Sequence, residues 1–165
     1  VGGKNVIKMG DLKACFEEIG FQQVTTYIQS GNVLFDSDNK DVEKLGCWIE
    51  MKLSERFDYQ SKVVLIRQAT IGEIIANAPE GFGSDPGNYR YDVIFLKGTL
   101  KSEEALSRIK IKEGVDFVAP GKGVIYFSRL SSKSTQSQMT KMIGTPIYRE
   151  MTIRNWNTTR KLSEL

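Results

Sequence analysis

The chain has no histidine among its 165 residues. Histidine is the commonest general base and a dominant ligand of transition metals, so Ser-His-Asp and Cys-His nucleophile systems are excluded, as are His-rich zinc sites. Cysteine is nearly absent too: Cys15 and Cys47 stand far apart, without CxxC spacing. That excludes a Cys-rich zinc or iron–sulfur site within one chain and argues against a disulfide scaffold. Long apolar runs are also missing. The longest, Val63 to Ile66, Val93 to Leu96 and Val124 to Phe127, fall far short of the ~20 residues that span a bilayer. Residues 1–15 hold three lysines and no apolar stretch, so they do not read as a signal peptide. The expected compartment is the cytoplasm, with both cysteines reduced and at least partly buried. Any catalysis would fall to carboxylates, lysine, tyrosine, a lone thiol or a borrowed cofactor. No metal and no cofactor is expected.

What is present is an ordinary globular mixture, 40% apolar and 26% charged, which excludes disordered, collagen-like and coiled-coil chains. The net charge of +3 is unevenly spread. Residues 129–165 carry seven basic and two acidic groups, and residues 1–128 carry 16 basic and 18 acidic. A basic C-terminal quarter is suited to phosphate or another anion.

Met9, Leu12, Phe16 and Ile19 recur at helical spacing before Gly20, predicting a helix over 9–19. Val24–Ile28 and Val33–Asp36 read as strands joined by the hairpin Gln29-Ser30-Gly31-Asn32. A second helix, capped by Asn39 or Asp38, carries the stripe Val42, Leu45, Ile49, Leu53 and Phe57, and Val63–Ile66 reads as a buried strand. This order is a βαββαβ unit without its first strand, which is expected upstream of Val1. A short helix at 70–77, capped by Thr70, precedes the Gly/Pro-rich stretch 79–89. Then the pattern restarts: strand 91–96, helix 102–109, strands 115–119 and 124–127 about the turn Pro120-Gly121-Lys122-Gly123, helix 134–143 and strand 147–151. Thr152 is expected to cap a terminal helix from Ile153. The fold class is therefore α+β, two tandem ferredoxin-like units plus a C-terminal helix. The divisions are 1–68 for the first unit, 69–90 for the short helix and linker, and 91–165 for the second unit.

Three stretches together carry a family resemblance: Val1-Gly2-Gly3-Lys4-Asn5, Tyr27-Ile28-Gln29-Ser30-Gly31-Asn32-Val33, and Thr152-Ile153-Arg154-Asn155-Trp156-Asn157-Thr158. In this combination, spread over the whole chain, the sequence resembles the mainly bacterial domain-of-unknown-function family 1697. Members usually begin with an apolar strand leading into the glycine-lysine-asparagine turn. The resemblance implies a paired ferredoxin-like fold and supplies no activity.

The residues themselves offer three candidate binding elements. Gly2, Gly3, Lys4 and Asn5 form a loop whose amides and lysine suit an anion. It is not a P-loop, because Asn5 stands where Ser or Thr would hold magnesium. Gln29, Ser30 and Asn32 offer a polar hairpin rim, and Ser30 has no histidine to activate it. Arg154, Asn155, Asn157 and Thr158 are expected in the first turns of the terminal helix, where free N–H groups and the dipole favour anions. Tyr126 and Phe127 stand where RNA-recognition folds carry stacking aromatics. Strand alternation puts those two on opposite faces, so they read as hairpin core. The leading expectation is a module that binds an anionic small molecule, a nucleotide or a nucleic-acid segment at one site built from Lys4, Arg154 and Asn155. The alternatives are a small-molecule enzyme using a carboxylate or lysine between the units, and a protein-interaction scaffold.

Overall fold

The computed structural model describes residues 7–28 and 31–165. It is a mixed α+β structure with two sheets and six α-helices among the described residues. None of those helices is long and apolar enough to cross a membrane. Chain contacts divide it into two units, one running to Val63 and the other from Val64 to Glu164.

The first unit contains α1 (Met9–Ile19), β1 (Gln22–Tyr27), β2 (Asn32–Asp36) and α2 (Val42–Phe57). α1 buries Leu12, Cys15 and Phe16. It stops at Gly20, whose φ of 110° lets Gly20 N–H reach Glu17 O and Phe21 N–H reach Phe16 O. The predicted span 9–19 is the observed one. β1 and β2 pair antiparallel, with Tyr27 opposite Asn32 and a register shift between Gln22 and Thr25, where Gln23 has φ 53°. α2 buries Leu45, Ile49 and Leu53 as expected. Its cap is Asp41, not Asn39 or Asp38. Asn39 Oδ1 accepts from Asp41 N–H at 2.9 Å, a local turn that delays the helix, and Asp41 then accepts from Lys44 N–H at 3.1 Å. Phe16, Phe21 and Phe35 cluster at 4.3–5.8 Å between ring centres, with Trp48 edge-on to Phe21. Both cysteines are free. Cys15 is buried, but Cys47 is exposed, because it lies off the stripe that α2 turns inward.

Among the described residues, no strand forms at the expected Val63–Ile66. Val63 N–H donates to the Glu50 carboxylate at 2.9 Å rather than to a neighbouring strand. Val64 and Ile66 instead pack into the core of the second unit.

The second unit contains α3 (Gln68–Ala76), β3 (Tyr89–Leu96), α4 (Ser102–Arg108), β4 (Asp116–Pro120), β5 (Val124–Leu130), α5 (Met139–Met142), β6 (Met151–Asn155) and α6 (Trp156–Glu164). Its four strands form one antiparallel sheet in the order β4-β5-β3-β6. Alternation along the strands gives each face a separate core. One face buries Ile94, Leu96, Ile125 and Phe127 with Ala105 of α4 and Met139 and Met142 of α5. The other buries Val93, Phe95, Val124 and Tyr126 with Ile74 of α3, and Phe82 and Trp156 pack against it.

Several sequence expectations shift in this unit. α3 begins two residues before Thr70, after Arg67, with no side-chain cap. The helix expected at 134–143 is split into a 3-10 turn, Ser131–Gln136, and α5. The break is anchored by buried Asp116, which accepts from Ser137 Oγ at 2.6 Å and from Gln138 N–H at 2.9 Å, while Ser137 Oγ accepts from Met139 N–H. Pro146 opens a 3-10 turn over 146–150, so the closing strand comes later, at 151–155. Thr152 does not cap a helix. Residues 151–155 pair instead with β3, and Asn155 Oδ1 caps α6 by accepting from Thr158 N–H at 2.7 Å.

Candidate functional site

β3, β4 and β5 present successive side chains to opposite faces, so Tyr89, Tyr91 and Val93 share a face with Tyr126 and Phe117. Toward α3 and α6 that face is covered by Ile74 and Trp156. At the other end it opens as a cleft of about 510 Å³, bounded by the 79–85 loop and by these strands. Five aromatic residues line it: Phe82, Tyr89, Tyr91, Phe117 and Tyr126. The rings form a continuous series. Phe82 lies edge-to-face with Tyr91 at 5.0 Å, Tyr126 at 5.4 Å and Trp156 at 5.0 Å; Tyr89 lies 6.1 Å from Tyr91 and 6.0 Å from Phe117. Phe117 is 47% exposed, although an aromatic side chain is usually buried.

The loop is held by its own polar groups. Gly83 adopts φ 84°, and a Cβ there would fall 2.5 Å from the indole nitrogen of Trp156. Ser84 Oγ donates to Gly81 O, and both Asp85 carboxylate oxygens accept from Asn88 Nδ2. The Tyr91 hydroxyl accepts from Asp85 N–H at 3.1 Å. On the floor, the buried Tyr126 hydroxyl donates to Ile74 O. Burial pushes the Tyr126 phenol above its ordinary pKa, so it stays protonated and keeps that bond.

The residues expected from sequence to bind an anion fall as follows. Gly2, Gly3, Lys4, Asn5, Gln29 and Ser30 lie outside the described residues. Asn32 is buried, and its amide donates across the hairpin to Tyr27 O at 3.0 Å. Arg154 lies on β6 rather than in a helix. Its Nη1 donates to Thr152 Oγ1 at 2.7 Å and to Ile153 O at 2.9 Å, and burial draws its pKa down while Tyr148 acts in the opposite sense. Asn155 is taken up by its cap, Asn157 is exposed and Thr158 is buried. The described members of the set are therefore engaged mainly in internal structure.

A second charged cluster lies on the α4–α5 side of the sheet, where alternation places Asp92 with Arg90 and Arg129. Burial raises the Asp92 carboxyl, and the guanidinium groups of Arg129 and Arg90 only partly offset it. Among the described residues, the buried Nε of Arg129 has no hydrogen-bond partner.

A family model described as a protein of unknown function, DUF1697, matches residues 1–126. The chain belongs to the DUF1697 family. Its fold is similar to that of the conserved bacterial protein SP0830 from Streptococcus pneumoniae, at 24% identity over 99% of this chain and 91% of that one, with a TM-score of 0.83. The comparison with curated proteins gives no match. Neither finding for this DUF1697 member indicates a specific function. The aromatic cleft is not among the sites expected from sequence. The available signal was Tyr89 and Tyr91, two tyrosines at strand spacing directly after a loop.

Proposed function

We propose that the protein is a bacterial, cytoplasmic, non-catalytic binding module made of two tandem ferredoxin-like units, and that the cleft of the second unit holds its ligand. The tandem reading is supported by the second unit's order, with α4 after the first strand and α5 after the third strand of a β4-β5-β3-β6 sheet. The first unit repeats the middle of that order, α1-β1-β2-α2. The ligand reading rests on one observation: five aromatic residues line an open cleft of about 510 Å³, within the size range of small-molecule sites. Catalysis draws little support from its lining, since the Tyr126 phenol is kept neutral and engaged with Ile74. Asp92, a carboxylate with a raised pKa, is not among the cleft residues.

The test is a fragment screen followed by amide chemical shifts. Hits should perturb residues 79–91 and 117–128. Phe117→Ala should weaken them about tenfold, equivalent to about 1.4 kcal/mol for one aromatic contact. Hits that cluster elsewhere and ignore this substitution would refute the reading.

A further inference from the structure

We propose that the cleft takes an organic cation bearing an alkylated ammonium group; this rests on the cleft being a ligand site. Three features of the lining converge on that chemistry. The first is charge: among the described residues, Glu80 and Asp85 line the cleft and no lysine or arginine does. Among the described residues, neither carboxylate forms a salt bridge. An anion brought here would meet two like charges with no compensating group among the described residues, whereas a cation is drawn in. The second is ring geometry. Tyr89 and Tyr91 lie 35° apart in plane, close to one wall, and Phe117 stands at 67° to Tyr89. Two walls at a steep angle offer a corner of π surface, which attracts positive charge through the ring quadrupole.

The third feature selects the kind of cation. A primary ammonium or a guanidinium needs several directed acceptors once it leaves water. Here the one uncommitted carboxylate, Glu80, is exposed at the rim, and the polar groups deeper in the lining are engaged: the Asp85 carboxylate with Asn88, Tyr91 Oη with Asp85 N–H, Ser84 Oγ with Gly81 O, and Tyr126 Oη with Ile74 O. What remains is ring surface with negative charge at the rim. That favours a cation whose charge is spread over methyl groups and needs no hydrogen bonds.

The experiment titrates the full chain with choline and with its uncharged isostere 3,3-dimethylbutan-1-ol, following amide shifts of residues 79–91 and 117–128. Choline should bind at least about tenfold more tightly, and added salt should weaken choline alone. Glu80→Gln, at an exposed position, should lower choline affinity severalfold and leave the isostere unchanged. Tyr89→Ala should weaken both. If the isostere binds as tightly as choline, or if Glu80→Gln is silent, the cation inference is wrong and the cleft reading survives. If neither probe nor any neutral fragment moves the cleft residues, both fall.

Discussion

The two units solve the same packing problem with different resources. In the first, the two strands and two helices among the described residues close around a compact aromatic knot of Phe16, Phe21 and Phe35. In the second, a four-stranded sheet buries both faces, so neighbouring residues on one strand serve different cores: Ile125 and Phe127 one, Val124 and Tyr126 the other. A sheet covered on both sides needs enough elements to cover it. α3, α6 and the 79–89 loop cover one end of the second face and leave the other open. The cleft is thus what remains where the cover stops, and its walls are residues that would otherwise have been core.

The sharpest way to break the comparison is to empty one face of the second sheet. Phe127 is fully buried among residues of α4 and α5, so Phe127→Ala should cost about 3–5 kcal/mol in denaturant unfolding. A loss below about 1 kcal/mol would mean that this face is not a real core. A smaller effect is expected on the opposite face. Tyr126→Phe keeps the ring and removes the hydroxyl, leaving the buried Ile74 carbonyl without that donor. About 1–3 kcal/mol should be lost, and an unchanged thermal midpoint would show that the tether contributes nothing.

Asp92 sharpens the comparison through pH. Its carboxyl is raised above the ordinary 3.8, chiefly by burial. The native state therefore binds this proton more tightly than the unfolded chain does. Stability is lost as pH rises from the unfolded value through the folded one, and the deficit is complete above it. Asp92→Asn should raise the melting temperature at neutral pH, with the gain shrinking toward about pH 3. A neutral-pH loss would mean that Arg129 and Arg90 outweigh burial. The smallest effect concerns the first unit. Maleimide should label exposed Cys47 quickly and leave Cys15 largely unlabelled, since burial raises the Cys15 thiol. Equal labelling of the two would place Cys15 outside the core.

Much of the helical structure was legible before folding, because it is written locally. The stripe ending at Gly20 set α1, and Leu45, Ile49 and Leu53 set α2. The C-terminal strand was not. Thr152 and Asn155 both have the chemistry of a cap, and only pairing with β3 decides that 152 lies in a ladder while 155 caps the helix. The segment Val63–Ile66 looks like a strand because its side chains are β-formers, yet among the described residues it pairs with no strand, and Val63 N–H goes to Glu50. The cleft was hidden for a different reason. Its rings come from the 79–85 loop, β3, β4 and β5, and no one of those stretches looks unusual alone.

The close seating of Trp156 against Gly83 has a consequence for how this sequence can vary. In a library that randomises single codons, position 83 should return glycine almost alone, since any larger residue meets both a left-handed backbone and the indole. Gly114 shares that handedness, with φ 78° but open space around it, so asparagine and aspartate should survive selection there. The two glycines look alike in the chain, but only the one against Trp156 should be fixed.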